Sequence, residues 1–553
     1  MLVPAMLGCR HETINVYVTP GGADAGASVP ATGAAVPPAS QPTTGASTPA
    51  PNARPGDSSP TPARNAADGG AGGRAPGPEI AGSGGAAGTR SAANGGSESA
   101  SMAGTAGEGR GASAAAGPEN AWRMMGYDHH STYFNPAETT LSPGNASRLT
   151  EKWRFTINGV PMGSPVIAEG KVFATTSGGV YAIDLATGKQ VWVRTEFATT
   201  SSAAYENGSI YVHQIIPPAV YKLKASDGST VWGPSTDVDP DYADGESSPI
   251  LARGLVIVGH DCGLREIGLD MNTVSAARGG VEAYDMESGA KIWTYYTLPD
   301  PAGGGENGAS VWSSVSVDLE SATVFATTGN NYTVAGPNAE AFHAIDLMTG
   351  TKKWVKQVQS GDTACALICG SDFSKQDMDF GANPILAEIG GRRVVAAGNK
   401  TSSFYQLDRD TGEMVWSRDK LSDSYNALFG GIFINGAFDG KYFYVVANDA
   451  NTTTAMVHKL DPEKQGASVW THKLDRVTWG AVSLANGLLV VPNDTKLVVM
   501  DAASGQVLTQ FETGGTIAGG AAAIAQGTIV VKSGLVYAAD VKLNDQIIAY
   551  GLP

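Results

Sequence analysis

Two aspartates set two residues apart, and a lysine downstream of them, are the side chains of this chain best suited by type to move a proton. Asp377 and Asp379 lie in the run DMDFG, and Lys400 in GNKTSS. A carboxylate can accept a hydroxyl proton as general base, and an ammonium can hold negative charge developing on an oxygen. If 377–379 is a strand, the two carboxylates point to opposite faces and only one of them serves. A capped loop and an exposed strand-end lysine are the plainer readings. Asn330 and Asn331 follow Gly329; that sequence makes a good turn, and it also offers the hard oxygen donors that a divalent cation such as Ca²⁺ prefers. Glu266 in VIVGHDCGLREIGLD and Glu246 in DGESSP are further carboxylate donors. Trp312, in SVWSS, gives a flat aromatic surface on which a planar ring system can stack, or it is an extra core residue. The formal G-x-G-x-x-G match at 303–308 follows Pro-Asp-Pro and precedes no helical pattern, so it reads as a loop. The eight His show no metal-ligand spacing. Cys365 and Cys369, with three residues between them in ACALICG, are no metal signature; a local disulfide between them, with Cys262 free, fits an oxidising compartment.

The rest of the chain must position these groups. It carries 53 acidic against 37 basic side chains, a net charge of −16. That balance excludes nucleic acid as a partner, because phosphate selects basic surface. Residues 1–118 hold 14 Pro and 23 Gly, and no Trp, Phe or Lys. Such a stretch buries too little apolar surface to offset the entropy of ordering, so 10–118 reads as a disordered linker. All ten Trp fall in 119–553, which reads as one folded unit. At the start, Met6-Leu7-Gly8-Cys9 is similar to a bacterial lipobox. The expectation is a truncated lipoprotein signal over 1–9, a lipid on Cys9, the linker as spacer, and a place in the periplasm or at the outer membrane. Nothing approaches 18 uncharged apolar residues, so membrane contact would come only through that anchor.

The folded part repeats one phrase: VYAIDLATGKQVW (180–192), VYKLKASDGSTVW (220–232), VEAYDMESGAKIW (281–293), FHAIDLMTGTKKW (342–354), FYQLDRDTGEMVW (404–416), VHKLDPEKQGASVW (457–470) and a worn LVVMDAASGQVLT (497–509). A β-rich half leads to Asp-x-x-Thr-Gly, where Asp and Thr cap the turn and Gly takes the positive-φ position; a second β segment carries the Trp. The Trp slots are Trp153, Trp192, Trp232, Trp293, Trp354, Trp416, Trp470 and Thr509, eight in all. Trp153 lacks an upstream partner, and QIIAYGLP (546–553) supplies one by pairing with 149–155. This predicts an all-β, eight-bladed propeller closed by strands from the two termini. The longer middle spacings place loops at about 236–247, 259–278, 299–309 and 361–380, where function tends to sit.

The phrase A-x-D-x-x-T-G-x-x-x-W resembles the repeat of pyrroloquinoline quinone (PQQ) propellers, over nearly all of 119–553. The lead-in 125–155 and the segments 308–332, 377–386, 394–412, 430–440 and 479–491 are similar to the polyvinyl-alcohol dehydrogenase-like branch of the quinoprotein alcohol dehydrogenases. The resemblance implies PQQ and Ca²⁺ as cofactors. Trp312 would be the floor under the quinone, with Ser310, Lys400 and Arg278 as further cofactor contacts. Asn330, Glu266 (or Glu246) and Asp379 would hold calcium, with Asp379 also the general base. It implies oxidation of a small or polymeric alcohol, with electrons leaving to a separate carrier such as a cytochrome, since no Cys-x-x-Cys-His haem motif is present. The adjacent Cys-Cys pair common in these enzymes is absent; Val274-Ser275 stand about where it would be. That departure leaves open the alternative of a non-catalytic propeller lipoprotein serving as an envelope scaffold or binding module.

Overall fold

The structure, a computed structural model, describes residues 120–215, 217–236, 245–261, 278–298, 307–332, 334–363, 377–423, 430–449, 451–534 and 545–553. Cys9, the segments 1–9 and 10–118, Cys262, Glu266, Val274-Ser275, Cys365 and Cys369 lie outside the described residues.

Eight antiparallel sheets follow one another, each an up-and-down blade. Blade 1 is typical: Val166–Ala168 innermost, then Lys171–Thr176, Gly179–Asp184 and, outermost, Gln190–Arg194. The innermost strands of blades 2–8 are Ala204–Glu206, Ile250–Ala252, Ser316–Asp318, Ile385–Ile389, Ala437–Phe438, Ser483–Ala485 and Ala523–Ala525. Blade 8 borrows its outer strand from the other end of the chain: Thr150–Thr156 pairs with Gln546–Gly551, Trp153 opposite Ala549. The ring closes as the repeat count requires. Among the described residues no helix is long and apolar enough to cross a membrane.

The repeated phrase sets the packing between blades. Each Asp accepts hydrogen bonds from the turn it precedes; Asp184 Oδ1 takes the Thr187 amide at 2.8 Å and its hydroxyl at 2.6 Å. The turn glycine then lies flat against the Trp of the preceding blade. A Cβ on Gly188, whose φ is +69°, would meet Trp153 Cγ at 2.6 Å. The indole N–H donates to a turn carbonyl of the next blade, as Trp153 does to Leu185 at 2.8 Å and Trp293 to Leu347 at 3.0 Å. Trp416 is the exception. It faces the lengthened turn that holds the 3-10 helix Pro462–Lys464, and its indole nitrogen finds no acceptor.

One sheet departs from the four-stranded expectation. In blade 7 a fifth strand, Phe134–Asn135, runs parallel to Ser483–Ala485. It is the end of a lead-in, residues 122–135, that crosses the axial channel and bonds to the innermost strand of every blade. Trp122 exchanges two backbone hydrogen bonds with Ile167. The amides of Tyr205, Val317, Leu386, Phe438 and Leu484 donate to the carbonyls of Arg123, His129, His130, Thr132 and Tyr133. His129 Nε2–H donates to the Leu251 carbonyl at 2.7 Å, and Asn135 Nδ2 to that of Ile524 at 2.7 Å. Each contact falls on the second residue of its strand. Trp122, Tyr133 and Met125 join the largest apolar core cluster.

Candidate functional site

Just before each innermost strand the chain turns in toward the axis, and there the blades surround a cavity of about 240 Å³. Its wall begins as a belt of equivalent positions two residues ahead of each strand: Ser164, Ser202, Ser248, Ser314, Asn383, Asn435, Ala481 and Ala521. The amides of six of the eight donate to the side chain of the next blade's belt residue. Ser164 N reaches Ser202 Oγ at 2.7 Å, Ser202 N reaches Ser248 Oγ at 2.9 Å, and Ser248 N reaches Ser314 Oγ at 2.9 Å. Ser314 N then reaches Asn383 Oδ1 at 2.8 Å, Asn383 N bonds Asn435 Oδ1, and Ala521 N returns to Ser164 Oγ at 2.8 Å. Buried amides left by the inward turn are thus satisfied around the ring. The two alanines have no acceptor to offer, and the belt opens at blades 7 and 8, beside Trp479.

Trp312, Phe433 and Trp479 give the cavity aromatic walls, and Lys400 and Glu246 supply its charged groups. Trp312 is held edge-on by backbone: a Cβ on Gly381 would fall 2.2 Å from its Cη2, and one on Gly329 would lie 3.2 Å from its Nε1. Lys400 Nζ stands 5.4 Å from the Trp312 ring centre, a cation–π distance. It donates to Asp377 Oδ2 at 2.8 Å and Asp379 Oδ2 at 3.0 Å. Residues 377–381 form no strand, so the alternation expected of Asp377 and Asp379 does not apply. The loop folds both carboxylates onto one ammonium, and the Asp379 amide leans on Asp377 Oδ1 at 3.3 Å. Asp379 Oδ1 also accepts the Asn330 amide at 2.6 Å, and the Lys400 amide bonds the Asp379 carbonyl at 3.0 Å.

Acidity is in excess here. Asp362, Asp377, Asp379 and Glu340 are all buried, and their mutual repulsion is felt. Burial pushes Asp377 up to about 6, with Lys400 opposing and Asp379 adding. Burial, then the charges of Asp362 and Asp379, push Glu340 up to about 9. One oxygen of the Glu340 carboxyl has no hydrogen-bond partner, nor has the buried Thr200 hydroxyl on the cavity wall. Across the cavity, burial raises the Glu246 carboxyl above its usual range while a hydrogen bond with Asp261 opposes the rise.

The other expected groups are placed as follows. Asn331 ties its loop, its amide donating to the Asn307 carbonyl at 2.9 Å and its oxygen accepting the Gly336 amide at 2.8 Å; Asn330 is the one against Asp379. The Ser310 hydroxyl pairs with the Tyr332 hydroxyl at 2.7 Å. Arg278 lies over the Tyr296 ring at 3.5 Å from its centre. Of the expected groups Trp312, Lys400 and Glu246 line the cavity, whereas Ser310, Arg278, Asn330 and Asp379 do not, Asp379 being paired with Lys400. Among the described residues no three His, Cys, Asp or Glu side chains are arranged to hold a metal ion. The lead-in floor, the belt, Thr200 and Glu340 were not singled out from the sequence. A signal for the belt was present, as Ser or Asn recurs two residues before a β run in GSPVI, SSAAY, SSPIL, SSVSV, ANPIL and INGAF.

Eight blades closed by terminal strands, with aromatic walls and a lysine–carboxylate cluster at the axis, define a propeller of the quinoprotein type. The chain belongs to the PQQ-repeat family described as outer membrane protein assembly factor BamB, matched over residues 145–418 and 400–548. It is similar to a polyvinylalcohol dehydrogenase of Pseudomonas sp, 26% identical over 75% of this chain and 73% of the relative. It is also similar to one of Sphingopyxis sp. (strain 113P3), 27% identical over 61% of this chain and 56% of the relative. The quinohemoprotein alcohol dehydrogenase structure from Comamonas testosteroni shares the fold, with a TM-score of 0.65 at 19% identity over 78% of this chain and 80% of that one.

Proposed function

We propose that this protein is a PQQ-dependent alcohol dehydrogenase of the polyvinyl-alcohol dehydrogenase-like kind, assisted by calcium. The observation that carries the reading is the meeting of Trp312 and Lys400 on the wall of one axial cavity, with Asp379 held against the Lys400 ammonium. The residues fit the cofactors: an aromatic wall and a cation suit a planar, anionic quinone, and the buried Thr200 hydroxyl on the cavity wall, which has no partner of its own, suits a polar ligand group. The acidic excess suits a divalent cation, held by Asp379 and the Asn330 side chain, with Glu266 or Glu246 completing the set.

When bound, PQQ supplies the two-electron acceptor for hydride and Ca²⁺ a Lewis acid at the quinone carbonyl. The protein does the rest. Trp312 fixes the plane of the ring, and Gly329 and Gly381 leave room for the indole. Asp379 accepts the proton of the substrate hydroxyl as the hydride departs. Lys400 would supply the positive charge beside a bound quinone, and Asp377 keeps the ammonium oriented. Ser310 and Arg278 support this wall from behind. Electrons pass to a separate carrier such as a cytochrome. A lipid on Cys9 and the linker hold the propeller in the periplasm or at the outer membrane. The description of the matched family favours a second reading, a non-catalytic envelope propeller.

One experiment separates the two. Protein mixed with PQQ and Ca²⁺ should gain a stoichiometric quinone absorbance and dye-linked alcohol oxidation. Asp379→Asn should abolish oxidation and keep the absorbance, because it removes the base and little volume. No absorbance in the parent protein would favour the scaffold.

A further inference from the structure

Among the described residues the lead-in spans one end of the axial channel. The lead-in bonds to the second residue of every innermost strand, whereas the belt lies two residues ahead of those strands, on the side that carries Trp312 and Lys400. We propose that the lead-in is the floor of the substrate cavity and that Met125 is a specificity-determining residue that sets its depth. The proposal rests on reading this cavity as the place of alcohol oxidation.

Met125 is the lead-in's contribution to the cavity lining, and it is 6% exposed. A methionine side chain is ordinarily adaptable, with three rotatable bonds. Here its sulfur accepts two hydroxyls, Ser164 Oγ at 3.4 Å and Ser202 Oγ at 3.3 Å. Those hydroxyls are belt members, fixed in turn by the amides of Ala521 and Ser164. The floor is therefore pinned to blades 1 and 2 through the same network that seals the wall. Asn383 adds a tie on the far side, its Nδ2 donating to the Tyr133 hydroxyl at 3.3 Å. Among the described residues the lead-in stands across one end of the channel, which puts the approach to Lys400 at the opposite end. The substrate class that follows is an alcohol presenting its hydroxyl at an end, a branch or a bend. A polymer is engaged at such a point and is never threaded along the axis.

The test uses the full chain and tertiary alcohols, which have no carbinol hydrogen to lose as hydride. The affinities of tert-butanol and 2-methyl-2-hexanol are read from the tryptophan fluorescence of cofactor-free protein. Met125→Ala removes three side-chain heavy atoms from the floor. It should favour the longer alcohol over the shorter by about tenfold or more relative to the parent, the discrimination that a methylene-sized change gives in an apolar pocket. Met125→Leu should stay near the parent, because it conserves volume. Met125→Phe should shift the ratio the other way, and it decides the matter if the alanine variant fails to fold. General damage lowers both affinities together and leaves the ratio alone. An unchanged ratio in Met125→Ala and Met125→Phe, with PQQ absorbance retained, overturns the floor assignment and leaves the dehydrogenase reading standing. Failure of the parent to bind PQQ with Ca²⁺ sinks the dehydrogenase reading and with it the substrate role of the cavity, while the ratio, measured without cofactor, still decides whether Met125 is the floor of an alcohol-binding cavity.

Discussion

Replacing Lys400 by methionine keeps the length of the side chain and deletes its charge. In the structure that charge is shared between Asp377 at 2.8 Å and Asp379 at 3.0 Å, and the side-chain exposures are 8% for the lysine and 12% and 7% for the carboxylates. At an effective dielectric of about 20, each contact is an attraction of roughly 5–6 kcal/mol before desolvation. Removing one partner of such a buried arrangement costs about 3–5 kcal/mol net, because the charges left behind have neither water nor a counter-ion. Lys400→Met should therefore lower unfolding stability by that amount in metal-free buffer. If stranded charge is the cause, the double variant Asp377→Asn/Lys400→Met should recover at least about 2 kcal/mol, a coupling of the size that contacting pairs show. Urea denaturation followed by tryptophan fluorescence measures both. A Lys400→Met chain within about 1 kcal/mol of the parent would refute the reasoning. So would a double variant less stable than the single one.

Gly381→Ala puts a methyl group 2.2 Å from Trp312 Cη2. It should shift the tryptophan emission and weaken PQQ binding at least about tenfold, a loss of about 1.4 kcal/mol; unchanged binding would mean that Trp312 is no part of the quinone site. Trp153→Ala empties the seat under the Gly188 turn where the two termini close the ring, at a cost of about 3–5 kcal/mol. Proteolysis should then release the closing strand first, and simultaneous loss of all blades would contradict that order. His343 and His458 are buried neutral, burial holding each down at about 4. Their folded values lie below the unfolded 6.5, so the stability they contribute is present above pH 6.5 and is lost as pH falls toward 4. Removing both by His343→Gln/His458→Asn should flatten the stability slope between pH 6.5 and 4.5 by up to about two protons; an unchanged slope would show that neither titrates there.

The repeat phrase by itself determined the number of blades, the seven Trp that sit in outermost strands, and the pairing of the two terminal strands, expected at 149–155 with 546–553 and found at 150–156 with 546–551. Those features follow from local chemistry repeated at intervals: alternation makes the strands, Asp-x-x-Thr-Gly makes the turn, and a lone Trp-bearing strand at one terminus needs a partner from the other. The types of residue at the axis were legible too, since Asp379, Lys400 and Trp312 stand out of phase with the repeat. Their arrangement was decided by the tertiary structure. Whether Asp377 faces Lys400 or turns away depends on a loop with no periodicity, and the buried ammonium draws both carboxylates to one side. The closed channel was likewise beyond reach. Residues 122–135 are tied in place by carbonyls and amides from eight blades, and backbone groups leave no mark on a sequence. The Ser and Asn belt did leave one, a hydroxyl or amide two residues before six of the eight inner strands. Its meaning appears only when those positions meet around the axis and each satisfies its neighbour's amide.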